Sequence, residues 1–451
     1  MRILLIDPPV SFLKCTGETR QNLPISLASL ASSLQREGFE SRIMLPDTEA
    51  YSGDDPWGVL QEKIAEEAPD IIGITVLTAT LPAVKKLIAI ARAALGEQIP
   101  IVLGGPHPTA RPEQTASLRG VTAVVKGEGE EALVQLAQGW AEDPDFNPIE
   151  VAGVVARDKQ GAVQSGAHRK PNLDIDSLPW PQRDNLVFTD HLHPVLYESI
   201  ITLRGCPYKC IYCAIPLSSD RKTRYRSIEN ICDEIEFLVS SYGTKRLTFY
   251  DSVFTLNRKR TILLLDRMKE RGLDLPFSCQ TRADRVSPEL LDRLAEAGCE
   301  CIYFGIESGD LDSLRKLRKP MQLETIKAAV TQTRERGIRA NGFFMIGFPW
   351  ETERQAQATV DFALNLGLDM VSLFSATPLP GTELWALAAE QAEIPENTGM
   401  GLADFRTPQL NMTRMTAEAY SALFHSARLR FQEYNHTQVL SRHQATWPGA
   451  I

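Results

Sequence analysis

The sequence has no long hydrophobic run. Its longest apolar stretches, residues 71–80 and 101–105, are too short for the roughly 20 apolar residues that a membrane-spanning helix needs. Only four consecutive apolar residues precede Asp7, and the segment before it carries a single arginine, which is typical of a β-strand rather than of a signal peptide. We therefore expect no membrane span and a cytoplasmic protein.

Positive charge is also scarce. The chain carries 48 Lys and Arg against 57 Asp and Glu, a formal net charge of −9. Because surfaces that bind nucleic acid are usually basic patches, this balance argues against DNA or RNA as a partner.

Cysteine is sparse and unevenly placed. Eight cysteines in 451 residues do not make a disulfide framework, yet Cys206, Cys210 and Cys213 lie close together in the sequence. Three thiolates can hold three irons of a [4Fe–4S] cubane and leave the fourth iron open, whereas electron-transfer clusters usually take four cysteines. A zinc site would need a fourth ligand, which no nearby Cys or His supplies convincingly. A buried stripe on one helix face is the other alternative, although Gly205 and Pro207 oppose a helix beginning before Cys206.

Short apolar runs alternate with amphipathic stretches in the first 136 residues. The predicted strands are 3–6, 41–44, 70–75, 100–103 and 121–125, and the predicted helices are 24–37, 57–67, 82–95 and 130–136. Strands separated by helices predict an α/β domain, residues 1–140, with a parallel, doubly wound, Rossmann-like sheet. The proline-rich residues 141–195 are predicted to form a linker with room for one hairpin.

A second βα series begins near residue 199. Its predicted strands are 200–203, 246–249, 276–279, 301–306, 342–346 and 370–374, and its predicted helices are 229–240, 258–271, 289–297, 323–336 and 353–366. Six such units indicate a partial (βα)6 barrel of the TIM type at residues 196–390. Residues 391–451 are predicted to be a short helical segment and a polar tail.

The cysteine loop follows the first strand of this barrel, where βα loops carry active sites. Its C-x3-C-x-aromatic-C pattern, with Tyr212 as the aromatic residue, resembles that of the radical S-adenosylmethionine (SAM) superfamily. The resemblance implies that Cys206, Cys210 and Cys213 are the catalytic ligands of a [4Fe–4S] cluster whose open iron binds SAM. Reductive cleavage of SAM then gives a 5′-deoxyadenosyl radical, and Tyr212 lies against the adenine. An external one-electron donor, flavodoxin-like, ferredoxin-like or a dedicated reductase, is the implied partner.

Polar residues follow several predicted barrel strands. Asp251 comes just after the second strand and Glu307 just after the fourth, inside a Phe-Gly-Ile-Glu-Ser-Gly segment similar to SAM-contacting segments of the family. Gly305 and Gly309 would let the backbone approach a ligand. Arg282, after the third strand, could pair with the SAM carboxylate. The alternatives are a helix cap or solvated loop for Asp251 and a surface position for Arg282.

The first domain resembles the cobalamin-binding (B12) domain that precedes the barrel in one radical SAM subfamily. The resemblance rests on Asp-Pro-Pro at 7–9, Gly-Gly-Pro-His-Pro-Thr at 104–109 and Gly-Glu-Gly-Glu-Glu at 127–131, with a polar stretch at 16–20 approaching the crevice. It implies cobalamin as a further cofactor, with Gly104, Gly105 and Thr75 next to its ring or tail. The Asp-x-His-x-x-Gly segment that supplies a cobalt ligand elsewhere is absent, so His107 is not expected to bind cobalt. Some members keep this domain without using the cofactor.

Two reactions of a small, natural-product-type substrate stay open. Cobalamin-dependent C-methylation is the first, because of the two-domain order. The alternative is a cobalamin-independent radical dehydration, deoxygenation or rearrangement, as in a diol dehydratase acting on an aminoglycoside, with Tyr225, Lys222 and Glu198 as candidate proton acceptors.

Overall fold

The computed structural model describes residues 1–9, 24–46, 55–187, 197–391, 407–408 and 410–446. These residues form two compact units. The first comprises Met1–Ser199, Gly205–Pro207 and Ala214–Arg226, and the second comprises Ile200–Arg204, Tyr208–Cys213 and Ser227–Ile451. Within the described ranges no helix is both long and apolar enough to cross a bilayer.

The first unit is built on one seven-stranded sheet. Its strands are β1 Arg2–Ile6, β2 Glu40–Met44, β3 Ile71–Thr75, β4 Ile101–Gly104, β5 Ala123–Val125, β6 Val154–Arg157 and β7 Val163–Ser165. Its main helices are α1 Ile25–Arg36, α2 Pro56–Glu67, α3 Leu81–Leu95, α4 Pro106–Ala110, α5 Pro112–Ala116 and α6 Glu130–Glu142.

The strand order is β2-β1-β3-β4-β5-β6-β7, and the first five strands are parallel. The sheet is buried on both faces, with one apolar cluster under α1 and α6 and another under α2 and α3. Strands buried on both faces have continuous apolar sequences, and for that reason the strands of this sheet could be predicted from the sequence. The doubly wound fold is confirmed. The strand order reverses between β1 and β3, and sheets of this kind generally bind ligands at the carboxyl ends of the strands beside such a reversal.

The segment predicted as a linker contributes to this sheet. The hairpin of β6 and β7 continues it in antiparallel fashion, with Ala123 paired to Ala156. Pairing covers the otherwise open edge of β5, whose backbone groups would be left unsatisfied there. Arg183, only 1% exposed, donates to the Pro181 and Ser199 carbonyl oxygens, so the first unit extends to Ser199.

The second unit carries a six-stranded sheet of order β15-β14-β13-β12-β11-β8. The strands from residue 199 onward are β8 Ser199–Ile200, β9 Leu203–Arg204, β10 Arg224–Tyr225, β11 Leu247–Phe249, β12 Phe277–Thr281, β13 Cys299–Glu307, β14 Arg339–Ile346 and β15 Met370–Ser375. The helices of the second unit are α8 Ile228–Tyr242, α9 Arg258–Glu270, α10 Pro288–Glu296, α11 Leu311–Lys316, α12 Leu323–Glu335, α13 Glu353–Asn365, α14 Glu383–Gln391 and α15 Ala417–Thr446. Helix α7 Ile215–Ser219 and strand β10 belong to the first unit.

Strands β11 to β15 are mutually parallel and alternate with helices, as a partial TIM-type barrel requires. Each of the five long predicted helices is present within two residues of its predicted ends. The short helices α7 and α11 were not predicted. Helix α15 packs on β15 and α13 and contributes the buried side chains Tyr420, Phe424 and Phe431. It extends to Thr446, so it takes up much of the segment predicted as a short helix and a polar tail. Residues 392–406 of the predicted C-terminal segment lie outside the described residues.

Candidate active site

The cysteine loop joins β9 to α7 and is not helical between residues 205 and 214. This excludes a helical cysteine stripe, as Gly205 and Pro207 predicted. Cys206, Cys210 and Cys213 are partly exposed, and none forms a disulfide with another described cysteine. Ile211, at the middle of the loop, is 4% exposed. Its backbone N–H donates to the Leu317 carbonyl oxygen (3.3 Å), and its carbonyl oxygen accepts from the Leu384 N–H (2.9 Å). A buried apolar residue therefore anchors a loop whose sulfurs stay accessible.

Asp251 lies directly after β11, as predicted, and is 1% exposed. Its carboxylate accepts the Thr202 backbone N–H (2.7 Å), the Thr202 hydroxyl (2.7 Å) and the Leu203 N–H (3.0 Å). Burial raises the pKa of this carboxyl, and the hydrogen bonds from Thr202 oppose that rise. In this structure Asp251 fixes the segment that leads into the cysteine loop, and its contact with a cofactor stays a prediction.

Glu307 ends β13 and contacts the cysteine loop directly. Its Oε1 accepts the Tyr212 hydroxyl at 3.0 Å and the Lys319 ammonium at 2.7 Å, and Lys319 Nζ lies 3.4 Å from the same hydroxyl. Lys319 and Glu307 are 5% and 7% exposed. Burial and the negative charges of Glu307 and Cys210 raise the pKa of Tyr212 well above its usual value, so the phenol stays protonated and donates.

The backbone at this point is irregular. Glu307 has a φ of +75°, a left-handed conformation that side chains other than glycine rarely adopt, and the β13–β14 register shifts between Gly305 and Glu307. A Cβ on Gly305 would lie 2.8 Å from Lys319 Nζ and 3.0 Å from Glu307 Oε1. A Cβ on Gly309 would meet Phe362 at 2.5 Å. Both glycines thus make room for protein side chains, whereas the sequence had suggested room for a ligand.

Arg282 follows β12 and is 5% exposed, so the alternative of a surface arginine is wrong. Its Nε and Nη2 form a bidentate pair with Asp284 (2.8 and 2.7 Å), and its guanidinium carbon lies 4.1 Å from the centre of the Tyr208 ring. Its Nη1 is buried and meets no hydrogen-bond acceptor among the described residues. A buried cationic donor beside the cysteine loop suits an anionic ligand group.

The turn after β14 holds a second buried carboxyl group, which sequence reasoning missed. Glu351 is fully buried and accepts the backbone N–H groups of Gly347 and Phe348 through Oε2. Its Oε1 has no partner in the described part of the chain. Burial raises the pKa of Glu351 to about 8. Gly347, with φ +111°, is required here because a Cβ would lie 2.2 Å from the Tyr420 hydroxyl.

In the first unit, the structure brings together the three residues predicted to contact cobalamin. Thr75 pairs with Gly104 in the β3–β4 register, and a Cβ on Gly105, φ +105°, would lie 3.1 Å from Thr75 Oγ1. A Cβ on Gly104 would meet no atom within 4 Å, so open space lies beside the strand end. His107 is buried, and its Nδ1 is 3.1 Å from the Thr78 hydroxyl. The polar stretch at 16–20 lies outside the described residues.

These donor sets fit the implied cofactors. Within the described residues, no three His, Cys, Asp or Glu side chains converge to hold a single metal ion. A cubane does not need such convergence because each thiolate binds a different iron. Three partly exposed thiols match the chemistry of the cluster. A guanidinium nitrogen of Arg282 that is unpaired among the described residues matches an anionic group of SAM, and the open space beside Gly104 matches a large ring.

Family comparisons agree with this geometry. Residues 200–363 match the radical SAM superfamily model, and residues 21–137 match the B12 binding domain model. An uncharacterized methyltransferase of Pyrococcus horikoshii is 31% identical over 437 residues, covering 96% of this chain and 92% of that protein. The chain belongs to the radical SAM superfamily and carries a B12-binding domain. It is a radical SAM enzyme, so its cofactors include a [4Fe–4S] cluster and SAM, and the B12-binding domain supports cobalamin.

Other relatives span most of the chain. The cytidylyl-2-hydroxyethylphosphonate methyltransferase of Streptomyces wedmorensis is 27% identical, covering 85% of this chain and 80% of that protein. The anaerobic magnesium-protoporphyrin IX monomethyl ester cyclase of Rubrivivax gelatinosus is 26% identical, covering 87% and 71%. The radical SAM methyltransferase TsrM of Kitasatospora setae, solved with cobalamin and a [4Fe–4S] cluster, superposes with a TM-score of 0.73 at 23% identity, covering 87% and 78%. That likeness confirms the fold class.

Two buried residues of the site, Lys319 and Glu351, were not predicted from the sequence. Glu351 follows the Gly-Phe-Pro turn by two residues, and a carboxylate so placed after a turn could have been considered as a cap for its N–H groups. Lys319 lies 12 residues after Glu307 with no motif between them that pairs the two.

Proposed function

We propose that this enzyme methylates a carbon atom of a small-molecule substrate in a cobalamin-dependent reaction. The observation that supports it most is that one chain carries both candidate sites. One is the cysteine loop, whose Tyr212 contacts the Glu307–Lys319 pair, and the other is the strand end at Gly104–Gly105, with open space beside Gly104. Two relatives that match this chain over 92% and 80% of their own length are named methyltransferases.

When bound, these cofactors supply a 5′-deoxyadenosyl radical and a methyl group. Cys206, Cys210 and Cys213 are the proposed cluster ligands. Glu307 and Arg282 are the proposed partners of the polar groups of SAM, because each is buried and one guanidinium nitrogen of Arg282 is unpaired among the described residues. Tyr212, whose hydroxyl donates to Glu307, is the proposed contact of the adenine.

The first unit contributes shape rather than a cobalt ligand. Gly104, Gly105 and Thr75 are the proposed contacts of the corrin ring or its tail. Burial and the nearby charges of Arg111 and Lys85 lower the pKa of His107 to about 4, so its imidazole is neutral at physiological pH, and it already bonds to Thr78. We therefore propose that His107 ties the first turn of α4 to Thr78 and does not bind cobalt.

The second candidate is radical chemistry without methyl transfer. It is favoured by the relative named as a cyclase, which matches 87% of this chain. In that reaction the cysteine loop and Glu307 would act as above. Both candidates require an external one-electron donor.

The experiment is an anaerobic reconstitution with iron and sulfide, followed by addition of hydroxocobalamin, SAM and a strong reductant. We expect a retained cobalamin spectrum, S-adenosylhomocysteine and 5′-deoxyadenosine. The Cys210→Ala variant should lose 5′-deoxyadenosine and serves as the control for chemistry at the cluster. An enzyme that keeps no cobalamin and makes no S-adenosylhomocysteine would exclude methylation; 5′-deoxyadenosine formed without them would favour the second candidate.

The proposed role of Arg282 has its own test. Arg282→Lys keeps the positive charge but cannot form the bidentate pair with Asp284 while presenting a further donor. We expect its dissociation constant for SAM to rise about tenfold, which is 1.4 kcal/mol. An unchanged constant would show that Arg282 only supports the fold.

A further inference from the structure

The two flanks of the cysteine loop both pack in the first compact unit. Gly205–Pro207 precede and Ala214–Arg226 follow the stretch Tyr208–Cys213, and both flanks belong to that unit. They meet at Gly205, where φ is +87° and a Cβ would lie 2.1 Å from the Lys222 carbonyl oxygen. Only glycine fits that contact, so the base of the loop is closed by backbone packing.

The return flank ends in a buried ion pair. Arg224 Nη1 lies 2.7 Å from Glu128 Oε2, and Nη2 lies 2.6 Å from Oε1, so the pair is bidentate. Nη1 also donates to the Asn172 carbonyl oxygen at 2.7 Å. The two side chains are 4% and 19% exposed, which places the pair largely out of water. Because the pair is bidentate and buried, it fixes both the orientation of Arg224 and its distance from Glu128 more closely than a surface ion pair would.

Glu128 belongs to the loop after β5, and that loop is tied to the predicted cobalamin edge. The Gly127 N–H donates to Thr109 Oγ1 at 3.0 Å, and the Thr109 hydroxyl donates to the Gly105 carbonyl oxygen at 2.8 Å. Helix α4, which begins one residue after Gly105, also packs against α7 in the return flank. The contacts from Arg224 therefore continue to the Gly104–Gly105 strand end.

The pair is poorly suited to a purely stabilising role. Arg224 Nε is buried and has no acceptor in the described ranges. A buried ion pair that leaves one donor unpaired gains little net stability over apolar side chains of the same size, since desolvation offsets the attraction. Fixing the position of the return flank is a role that needs no net gain in stability from the pair.

We propose that Arg224 and Glu128 are positioning residues that hold the return flank of the cysteine loop and thereby keep Cys206 and Cys213 placed for cluster binding. The proposal rests on the proposed function only in taking a [4Fe–4S] cluster as the ligand of the loop. Neither residue touches the reacting atoms.

The test compares cluster retention in the full-length, reconstituted protein. The variants are Glu128→Gln and Arg224→Lys; the first removes the charge, and the second keeps a charge but loses the fork. We expect both to release iron to a chelator about tenfold faster than the wild type, because a broken buried pair weakens the placement of the loop. We also expect an altered electron paramagnetic resonance spectrum of the reduced cluster with SAM.

The matched control is Glu67→Gln. Glu67 pairs with Arg42 at 3.0 Å, its side chain is 12% exposed, and both residues lie in the first unit away from the cysteine segment. This variant should match the wild type in iron release and in spectrum, although it too loses a half-buried pair. If Glu128→Gln does not fold, Arg224→Lys decides the question by the same two measurements.

Wild-type rates and spectra in both Arg224→Lys and Glu128→Gln would overturn the proposal, as would equal changes in Glu67→Gln. A wild-type chain that takes up no cluster would overturn the proposed function and this proposal together. If the wild type takes up the cluster and both variants hold it as firmly, this proposal alone is overturned and the proposed function stands.

Discussion

The pair of Lys319 and Glu307 allows a prediction with a magnitude. Their side chains are 6% and 9% exposed, and Nζ lies 2.7 Å from Oε1. Removing one partner of such a pair leaves an uncompensated buried charge, which costs about 3–5 kcal/mol. Lys319→Met keeps most of the side-chain length and leaves the carboxylate with the Tyr212 hydroxyl, a single neutral donor. We expect the free energy of unfolding of the second unit to fall by about 3 kcal/mol, the lower end of that range.

The double variant Lys319→Met with Glu307→Gln is the matched control. It removes both charges, and the amide oxygen can still accept the Tyr212 hydroxyl. Because replacing both partners of a buried pair is often nearly neutral, we expect the double variant to recover about 2 kcal/mol of the loss. Double-mutant cycles on residues in direct contact commonly give coupling energies of about 0.5–3 kcal/mol, and the expected recovery of about 2 kcal/mol lies within that range.

The assay is urea unfolding of the cluster-free protein followed by circular dichroism and fitted with a separate transition for each unit. SAM affinity of the reconstituted variants gives an independent measurement, and we expect Lys319→Met to bind SAM about tenfold more weakly. The reasoning is refuted if the double variant is as unstable as Lys319→Met, because the two charges would then be uncoupled.

Three further predictions concern buried groups. In Gly305→Ala the new Cβ would lie 2.8 Å from Lys319 Nζ and displace the ammonium group. We therefore expect SAM affinity to fall, as we expect for Lys319→Met, and an unchanged affinity would contradict the packing argument. Burial raises the pKa of Glu351 from 4.5 to about 8, so the stability that its neutral form contributes is present below pH 4.5 and declines as the pH rises through 8. In urea unfolding from pH 5 to 8, we expect the wild type to lose stability relative to Glu351→Gln by up to about 1.4 kcal/mol per pH unit. If the free energies of unfolding of the two proteins change in parallel with pH, the carboxyl group has an ordinary pKa. The pKa of His107 is lowered from 6.5 to about 4, so its contribution is complete above pH 6.5 and is lost as the pH falls through 4; His107→Gln should lack this loss, measured by the same unfolding experiment.

Sequence patterns predicted the elements that obey local rules. Strand β3 was found because both faces of a central parallel strand are buried, which leaves an unbroken apolar run. The cysteine loop was correctly predicted not to be a helix because Gly205 and Pro207 disfavour one, and Gly205 indeed adopts φ +87°. In both cases the information lies within a few residues.

What the sequence left open depends on partners that are distant along the chain. Asp251 was placed at the end of a strand, but only the fold shows that its carboxylate accepts from Thr202, 49 residues earlier. Lys319 could not be assigned to Glu307 because their contact depends on the strained backbone at the end of β13. The β6–β7 hairpin was expected as part of a linker, and its joining the first sheet depends on an edge that only the assembled sheet presents.

Backbone strain separates the buried carboxyl groups by role. Asp251 satisfies three donors in the segment before the cysteine loop, and its contacts account for its burial as support for the fold. Glu307 instead has φ +75°, interrupts the β13–β14 register and faces a lysine that follows a second left-handed residue, Arg318, with φ +55°. Each such conformation costs about 1–3 kcal/mol and persists only where the surroundings enforce it. Arg318 closes the C-terminal end of α11, where a left-handed residue is common. Glu307 lies in a strand and has no such local reason, so its strain favours a ligand-holding role over a purely structural one.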